Sequence, residues 1–265
     1  MKIAVNGNEV NYEFDGPASA PVIMLSHALA TSLKVWEPQM EALVRGFRVL
    51  RYDTLGHGGT SIPRGPYTLE QLAGQAGGLL DALKIEQVHF LALSMGGMIA
   101  QTLALLRPQL LISLILCDSS SRIPAEAQPL WQERIKIAES EGMEPLVEPT
   151  IGRWFTPPFR QAHPDIIERV RGMIRGTAPH GYSACCHAIA ALNLTERIHA
   201  IKVPTLILVG AEDQGTPVVM SRAIHEQIAG SEMIVIPSAS HLSNTEQPEA
   251  FNRALTSFLD RVAGK

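Results

Sequence analysis

The chain alternates between short apolar runs and stretches whose apolar residues recur at helical spacing. Val22–Ser26, Val88–Leu93, Leu111–Cys117 and Thr205–Gly210 are near-continuous apolar runs. That is the pattern of strands buried on both faces. Val10–Phe14, Phe47–Asp53 and Met233–Pro237 read as further strands, and Asp15–Pro17 as a turn between the first two. Helical spacing marks Trp36–Val44, Thr68–Leu83, Met95–Leu106, Val218–Ile228 and Ala250–Val262. Strands alternating with helices predict an α/β fold, a mostly parallel central sheet covered by helices on both faces. Its crossovers should be right-handed.

Residues 121–201 break this rhythm. The stretch is long, carries helical patterns and the aromatics Trp131, Trp154, Phe155 and Phe159, and holds no convincing strand. It is expected to be a helical lid inserted into a core made of residues 1–120 and 202–265. Such an insertion leaves from the strands' carboxyl ends, where ligands bind in open α/β sheets. Trp154 and Phe155 are expected to fill the lid's own core.

A length of 265 residues suits one large α/β domain or one domain with an insertion. Net charge is −4 with no basic run, which argues against nucleic acid and acidic membranes as partners. The start, MKIAVNGNEV, is too polar for a secretory signal, and no apolar segment is long enough for a membrane span. Cys117, Cys185 and Cys186 have no metal-ligand spacing, and the adjacent pair is poorly placed to bridge. A reduced, cytoplasmic setting with a small-molecule partner and no metal or organic cofactor is expected.

The chemistry centres on HFLALSMGGMIAQTLALL. An apolar strand arrives at Ser94, and a helix pattern starts at Met95. A serine on such a strand-to-helix turn is held exposed in a strained conformation, and small residues on either side let the turn close. Here these are Ala92 and Gly96, an A-x-S-x-G version of the G-x-S-x-G signature. The helix N-terminus also favours negative charge developing at the serine. The plainer alternative is a serine that merely caps the helix.

A nucleophilic serine needs a base and an acid to orient that base. Asp213, just past a predicted strand, and His241, in the loop after the last strand, follow Ser94 in the order such hydrolases use. Asp118, at the end of Leu111–Cys117, is the rival acid. Two N–H groups should hold the developing oxyanion. Met95 supplies one, and the loop His27-Ala28-Leu29-Ala30 the other, through Leu29. Gly215, Thr216 and Pro217 read as a turn into a helix capped by Thr216. His57 is expected to tie loops together and His89 to contact the core. His163, His180, His199 and His225 read as surface residues, and His187 lacks the partners a metal would need.

The strings RYDTLGHG, GPYTLEQLA, ALSMGGMIAQ, RWFTPPF, GYSACCHAIAALNL and SHLSNTEQPEAF together resemble the 3-oxoadipate enol-lactonases. These are α/β-hydrolases of aromatic-ring catabolism, and the resemblance covers nearly the whole chain. It implies an α/β-hydrolase fold and a triad on Ser94, Asp213 and His241. The chain departs from the family at His27-Ala28-Leu29-Ala30, where Asn-Ser-Leu-Gly is usual. It also departs at Leu55, where Arg is usual, at Ala92 for Gly and at Asp118 for Asn. His27 is thereby expected beside the substrate's reacting carbonyl. The family's lactone carries a carboxylate, and the family has a Trp-x-x-Arg like Trp131 and Arg134. The two lie on one helix face: Arg134 is expected to bind that carboxylate with Trp131 packing beside it, the alternative being an ordinary surface arginine with a buried tryptophan. The same residues also suit an esterase or lactonase for another small acyl group, a perhydrolase or cofactor-free haloperoxidase, or a hydrolase-shaped binding module.

Overall fold

The computed structural model describes residues 1–264. Eight strands form one sheet: β1 (Lys2–Val5), β2 (Asn8–Asp15), β3 (Val22–Ser26), β4 (Arg48–Tyr52), β5 (Val88–Leu93), β6 (Leu111–Cys117), β7 (Thr205–Gly210) and β8 (Glu232–Ile236). Their spatial order is β1-β2-β4-β3-β5-β6-β7-β8. Only β2 runs against its neighbours, and β4 through β8 pair in parallel. Parallel pairing sends all their carboxyl ends to one edge. The apolar runs of β5 and β7 are buried at every position, as expected of strands covered on both faces.

The strand absent from the sequence reading is β1. Its four residues are mostly half-buried or exposed, so no apolar run announces it. Its signal was the dipeptide Asn6-Gly7, which joins β1 to β2 as a two-residue hairpin with φ of 50° and 79°.

Between β6 and β7 the chain is helical, with α-helices at Gln128–Glu141, Glu144–Trp154, Pro157–Ala162, Pro164–Gly176 and Pro179–Ala190. Each carries proline in its first turn, where the missing N–H is no loss and the fixed φ suits a helix. The first packs on the fifth and the second on the fourth. An isolated bridge, Arg122 to Asn193, closes the base of the segment.

Helix Pro179–Ala190 meets the core at a glycine pair. A methyl built on Gly56 would lie 2.7 Å from the Gly181 Cα, and Gly56 also has φ of 80°. No side chain fits between these backbones. Gly7 has the same sign of φ but open space around it. Gly7→Ala should therefore lower stability by about 1 kcal/mol, the penalty of a left-handed residue. Gly56→Ala should lose clearly more, and urea unfolding of the two variants measures the difference. Equal losses would mean that the approach of the two backbones is unimportant.

Candidate active site

Ser94 leaves β5 with φ 55° and ψ −114° and is followed directly by helix Met95–Leu106. Its side chain makes no capping bond, so the strain is not explained by helix capping. The turn closes because residue 96 is glycine: a methyl there would lie 2.8 Å from the Ser26 carbonyl carbon. Ala92 fits within β5 without exposure. The Ser94 N–H donates to the Cys117 carbonyl (2.8 Å), which fixes the elbow to β6.

The three residues that sequence order singled out converge at the carboxyl edge. His241 Nε2 lies 2.8 Å from Ser94 Oγ, and His241 Nδ1 lies 2.9 Å from Asp213 Oδ2. Asp213 is further held by Thr216 Oγ1 (2.7 Å), Gly215 N–H (2.7 Å) and Thr216 N–H (3.0 Å). Thr216 thus supports the acid. It does not cap the next helix, whose N-cap is Pro217 with no side-chain bond.

Asp118 stands apart from the imidazole. Its Oδ1 accepts from Gly210 N–H (2.8 Å) and its Oδ2 lies 2.5 Å from Ser243 Oγ. Burial, with the charge of Asp213 added, holds its carboxyl well above the usual carboxylate range. Burial also acts on Asp213, but the charge and hydrogen bond of His241 and the Thr216 donors outweigh it, and Asp213 sits below that range. Of the two neighbouring carboxyls, the one facing His241 carries the charge.

Two buried histidines hold the loop of residues 27–30. His27 Nε2 accepts from Thr54 N–H (3.0 Å), and its Nδ1 faces the Ala28 carbonyl (2.8 Å). His57 Nε2 accepts from Ala30 N–H (2.9 Å). The rings are 5.3 Å apart. The expectation that His27 touches substrate is corrected here: it is fully buried, and both ring nitrogens are engaged by backbone. It shapes the loop from below. The Ala30 amide is occupied by His57, and Ala30 itself has φ of 58°. The Met95 amide follows Ser94 directly at the helix start.

Trp154 and Phe155 are buried as expected, and Trp154 also reaches the site. Its ring stacks on that of His241, with centroids 6.0 Å apart and planes at 29°. Arg134 lies over the half-buried Trp131, 4.7 Å from the ring centroid. Cap arginines Arg169, Arg171 and Arg175 have carboxylate partners in Glu37, Glu148 and Glu144. Arg153 instead contacts Thr150 Oγ1 (3.1 Å). Burial and the nearby charge of Arg134 push Arg153 down to about 10. All three cysteines are free and buried. Among the described residues no group of three or more His, Cys, Asp or Glu is placed to hold a metal. Nor is any helix among them long and apolar enough to cross a membrane.

A family model described as the alpha/beta hydrolase fold matches residues 21–248. With the sheet order and the hydrogen-bonded Ser–His–Asp arrangement, this makes the chain a member of the α/β-hydrolase family and an enzyme of the hydrolase class. Within the family it falls in the 3-oxoadipate enol-lactonase-like branch. It is 36% identical to 3-oxoadipate enol-lactonase 2 of Acinetobacter baylyi over 95% of this chain and 93% of that protein. The same organism's 3-oxoadipate enol-lactonase 1 is 33% identical, over 97% and 95%. The crystal structure of the enol-lactonase from Burkholderia xenovorans superposes with a TM-score of 0.95 at 38% identity, covering 98% of this chain and all of that one. A malate-bound thermophilic esterase from Thermogutta terrifontis gives 0.92 at 30% identity, covering 99% and 98%.

The buried histidines generate a prediction about acid stability. Burial, with the repulsion that a protonated His27 would add, pushes His57 down to about 3, far below the ordinary 6.5. Burial lowers His27 as well. Below 6.5 the unfolded chain takes up a proton that native His57 refuses, so stability present above that pH is lost as pH falls toward 3. At about pH 4 the loss from His57 should reach about 3 kcal/mol. His57→Gln keeps an acceptor for the Ala30 amide and removes the titration. Urea unfolding from pH 7 to 4 should show a shallower decline for the variant, and parallel declines would reject the assignment.

Proposed function

We propose that this protein hydrolyses a small lactone bearing a free carboxylate, with 3-oxoadipate enol-lactone as the leading substrate, through an acyl-serine intermediate. The observation that carries the reading is the continuous chain Ser94 Oγ–His241–Asp213, with links of 2.8 and 2.9 Å. His241 Nε2 takes the Ser94 proton as Oγ attacks the carbonyl carbon. The N–H groups of Met95 and Leu29 receive the oxyanion as it forms. Collapse breaks the ring C–O bond, and His241 returns the proton to the departing oxygen. The released enol becomes a ketone without further help. Water, deprotonated by His241, then cleaves the acyl-serine. Charged Asp213 holds the imidazole in the reactive tautomer and stabilises its cation.

Residues 121–201 act as the lid in this reading. They bring Trp154 onto the imidazole, and Arg134 is their candidate for the substrate's carboxylate. Two features support an anionic substrate. Arg134 is stacked on Trp131, and Arg153 lies near enough to feel its charge. The similarity to two enol-lactonases of Acinetobacter baylyi supports the same class. A second reading, an esterase for another small acyl group, is favoured by the changed oxyanion loop and by the 30% identity to the Thermogutta esterase. The changed loop matters because such sites discriminate strongly between substrates.

Turnover of the enol-lactone, of a simple neutral lactone and of p-nitrophenyl acetate separates the readings. The enol-lactone should lead in kcat/KM by about three orders of magnitude or more, and Ser94→Ala should abolish all three activities. Faster turnover of the neutral substrates would favour the esterase reading. Arg134→Ala should raise KM for the enol-lactone about tenfold or more while leaving neutral esters unchanged. Equal effects on charged and neutral substrates would remove Arg134 from substrate binding.

A further inference from the structure

Glu246 is a buried carboxylate that no step above uses. It ends the short helix Ser243–Glu246, five residues beyond His241 in sequence, and is 4% exposed. Its partners are all donors. Oε1 accepts from the Thr156 N–H (2.8 Å) and from the Thr156 hydroxyl through a very short bond. Oε2 accepts from the Ser240 N–H (2.8 Å). One carboxylate therefore joins the helical segment to the residue preceding His241. Ion pairing does not explain its burial, because none of these partners is a cation.

The same two strands of chain are joined twice more. Ser240 Oγ donates to the Arg153 carbonyl (2.9 Å), and Leu242 N–H donates to the Trp154 carbonyl (3.2 Å). Trp154 stacks on the imidazole between these ties. Both neighbours of His241 in the chain are thus bonded to Arg153–Thr156. The imidazole's own bonds, to Asp213 and Ser94, set its direction but do not hold its backbone.

We propose that Glu246 is a positioning residue for the reaction: its carboxylate clamps the His241 loop to Thr156, so that His241 is aimed at Ser94 only while Arg153–Thr156 is seated. The inference rests on the reading of Ser94, His241 and Asp213 as the triad. Its chemistry demands a carboxylate. Three donors converge on two oxygens, and a carboxamide has only one acceptor oxygen. In Glu246→Gln the amide oxygen goes to Thr156, which offers two donors, and the NH2 group then faces the Ser240 N–H. Two donors meet at the residue next to His241, and the loop shifts.

The experiment compares the full-length protein with Glu246→Gln, Thr156→Val and Ser94→Ala, using p-nitrophenyl acetate. Rates of the proteins that keep Ser94 are expressed per active site titrated with a fluorophosphonate, so that misfolded protein does not count, and that of Ser94→Ala, which cannot react with it, per mole of protein. Glu246→Gln should lower kcat about tenfold or more, the scale of a small misplacement in a catalytic site, with KM within about threefold. The downfield NMR proton on His241 Nδ1, shared with Asp213, should broaden or move in the same variant. Thr156→Val keeps the N–H bond and loses the hydroxyl, so it should show the same split at smaller amplitude. If Glu246→Gln does not fold, Thr156→Val decides. Wild-type kcat with an unchanged resonance, alongside a dead Ser94→Ala, overturns this proposal alone. Activity persisting in Ser94→Ala overturns the triad reading and this proposal with it.

Discussion

The strained turn at Ser94 is the constraint on which the site depends. A serine at φ 55° and ψ −114° is held against a penalty on the order of 1–3 kcal/mol. Three things hold it there. The Ser94 amide is fixed to the Cys117 carbonyl, the Ser94 carbonyl accepts from the Ser119 hydroxyl at 2.8 Å, and Gly96 lets the helix start press against the Ser26 backbone. Each comes from a neighbouring strand end, β3 or β6. Because those strands are parallel, the same packing that bends the chain at Ser94 brings the loops after β3, β6 and β7 to the same edge.

Electrostatics then divides labour between groups of the same type. Asp118 and Asp213 are both buried beside one another, and they cannot both ionise cheaply. The one with its donors on a backbone amide and a serine hydroxyl is pushed well up. The one facing His241 with three further donors is held down. His27 and His57 are kept neutral by burial at the loop of residues 27–30. In that state each ring has one nitrogen free to accept a backbone N–H, from Thr54 and Ala30 respectively. A cationic ring would have no such acceptor. The neutral pair is therefore part of what gives the loop its shape.

The helical segment is not merely laid over this edge. It touches the imidazole through Trp154 and the imidazole's loop through Thr156, Trp154 and Arg153. At its other side it meets the core where Gly181 and Gly56 allow two backbones to approach. These contacts tie the helical segment to the Ser94–His241–Asp213 site.

Much of this was legible in the residues themselves. Strands β3, β5, β6 and β7 and helix Met95–Leu106 were readable to the residue, because strands buried on both faces are uninterrupted apolar runs and the elbow punctuates them. The order of Ser94, Asp213 and His241 followed from strand ends. Strand β1 was not legible as an apolar run, since a short edge strand needs little burial, and its Asn-Gly turn was the only clue. The burial of His27, the support of Asp213 by Thr216, the stacking of Trp154 and the clamp at Glu246 could not be read along the chain. Glu246 and Thr156 are 90 positions apart, and Trp154 looks like any core aromatic. Apolar periodicity follows from local burial, so sequence alone determined the buried strands of the sheet, the elbow and the order of Ser94, Asp213 and His241. Which polar groups meet across the sheet edge depends on chain segments packing in three dimensions, and only the tertiary structure decided that.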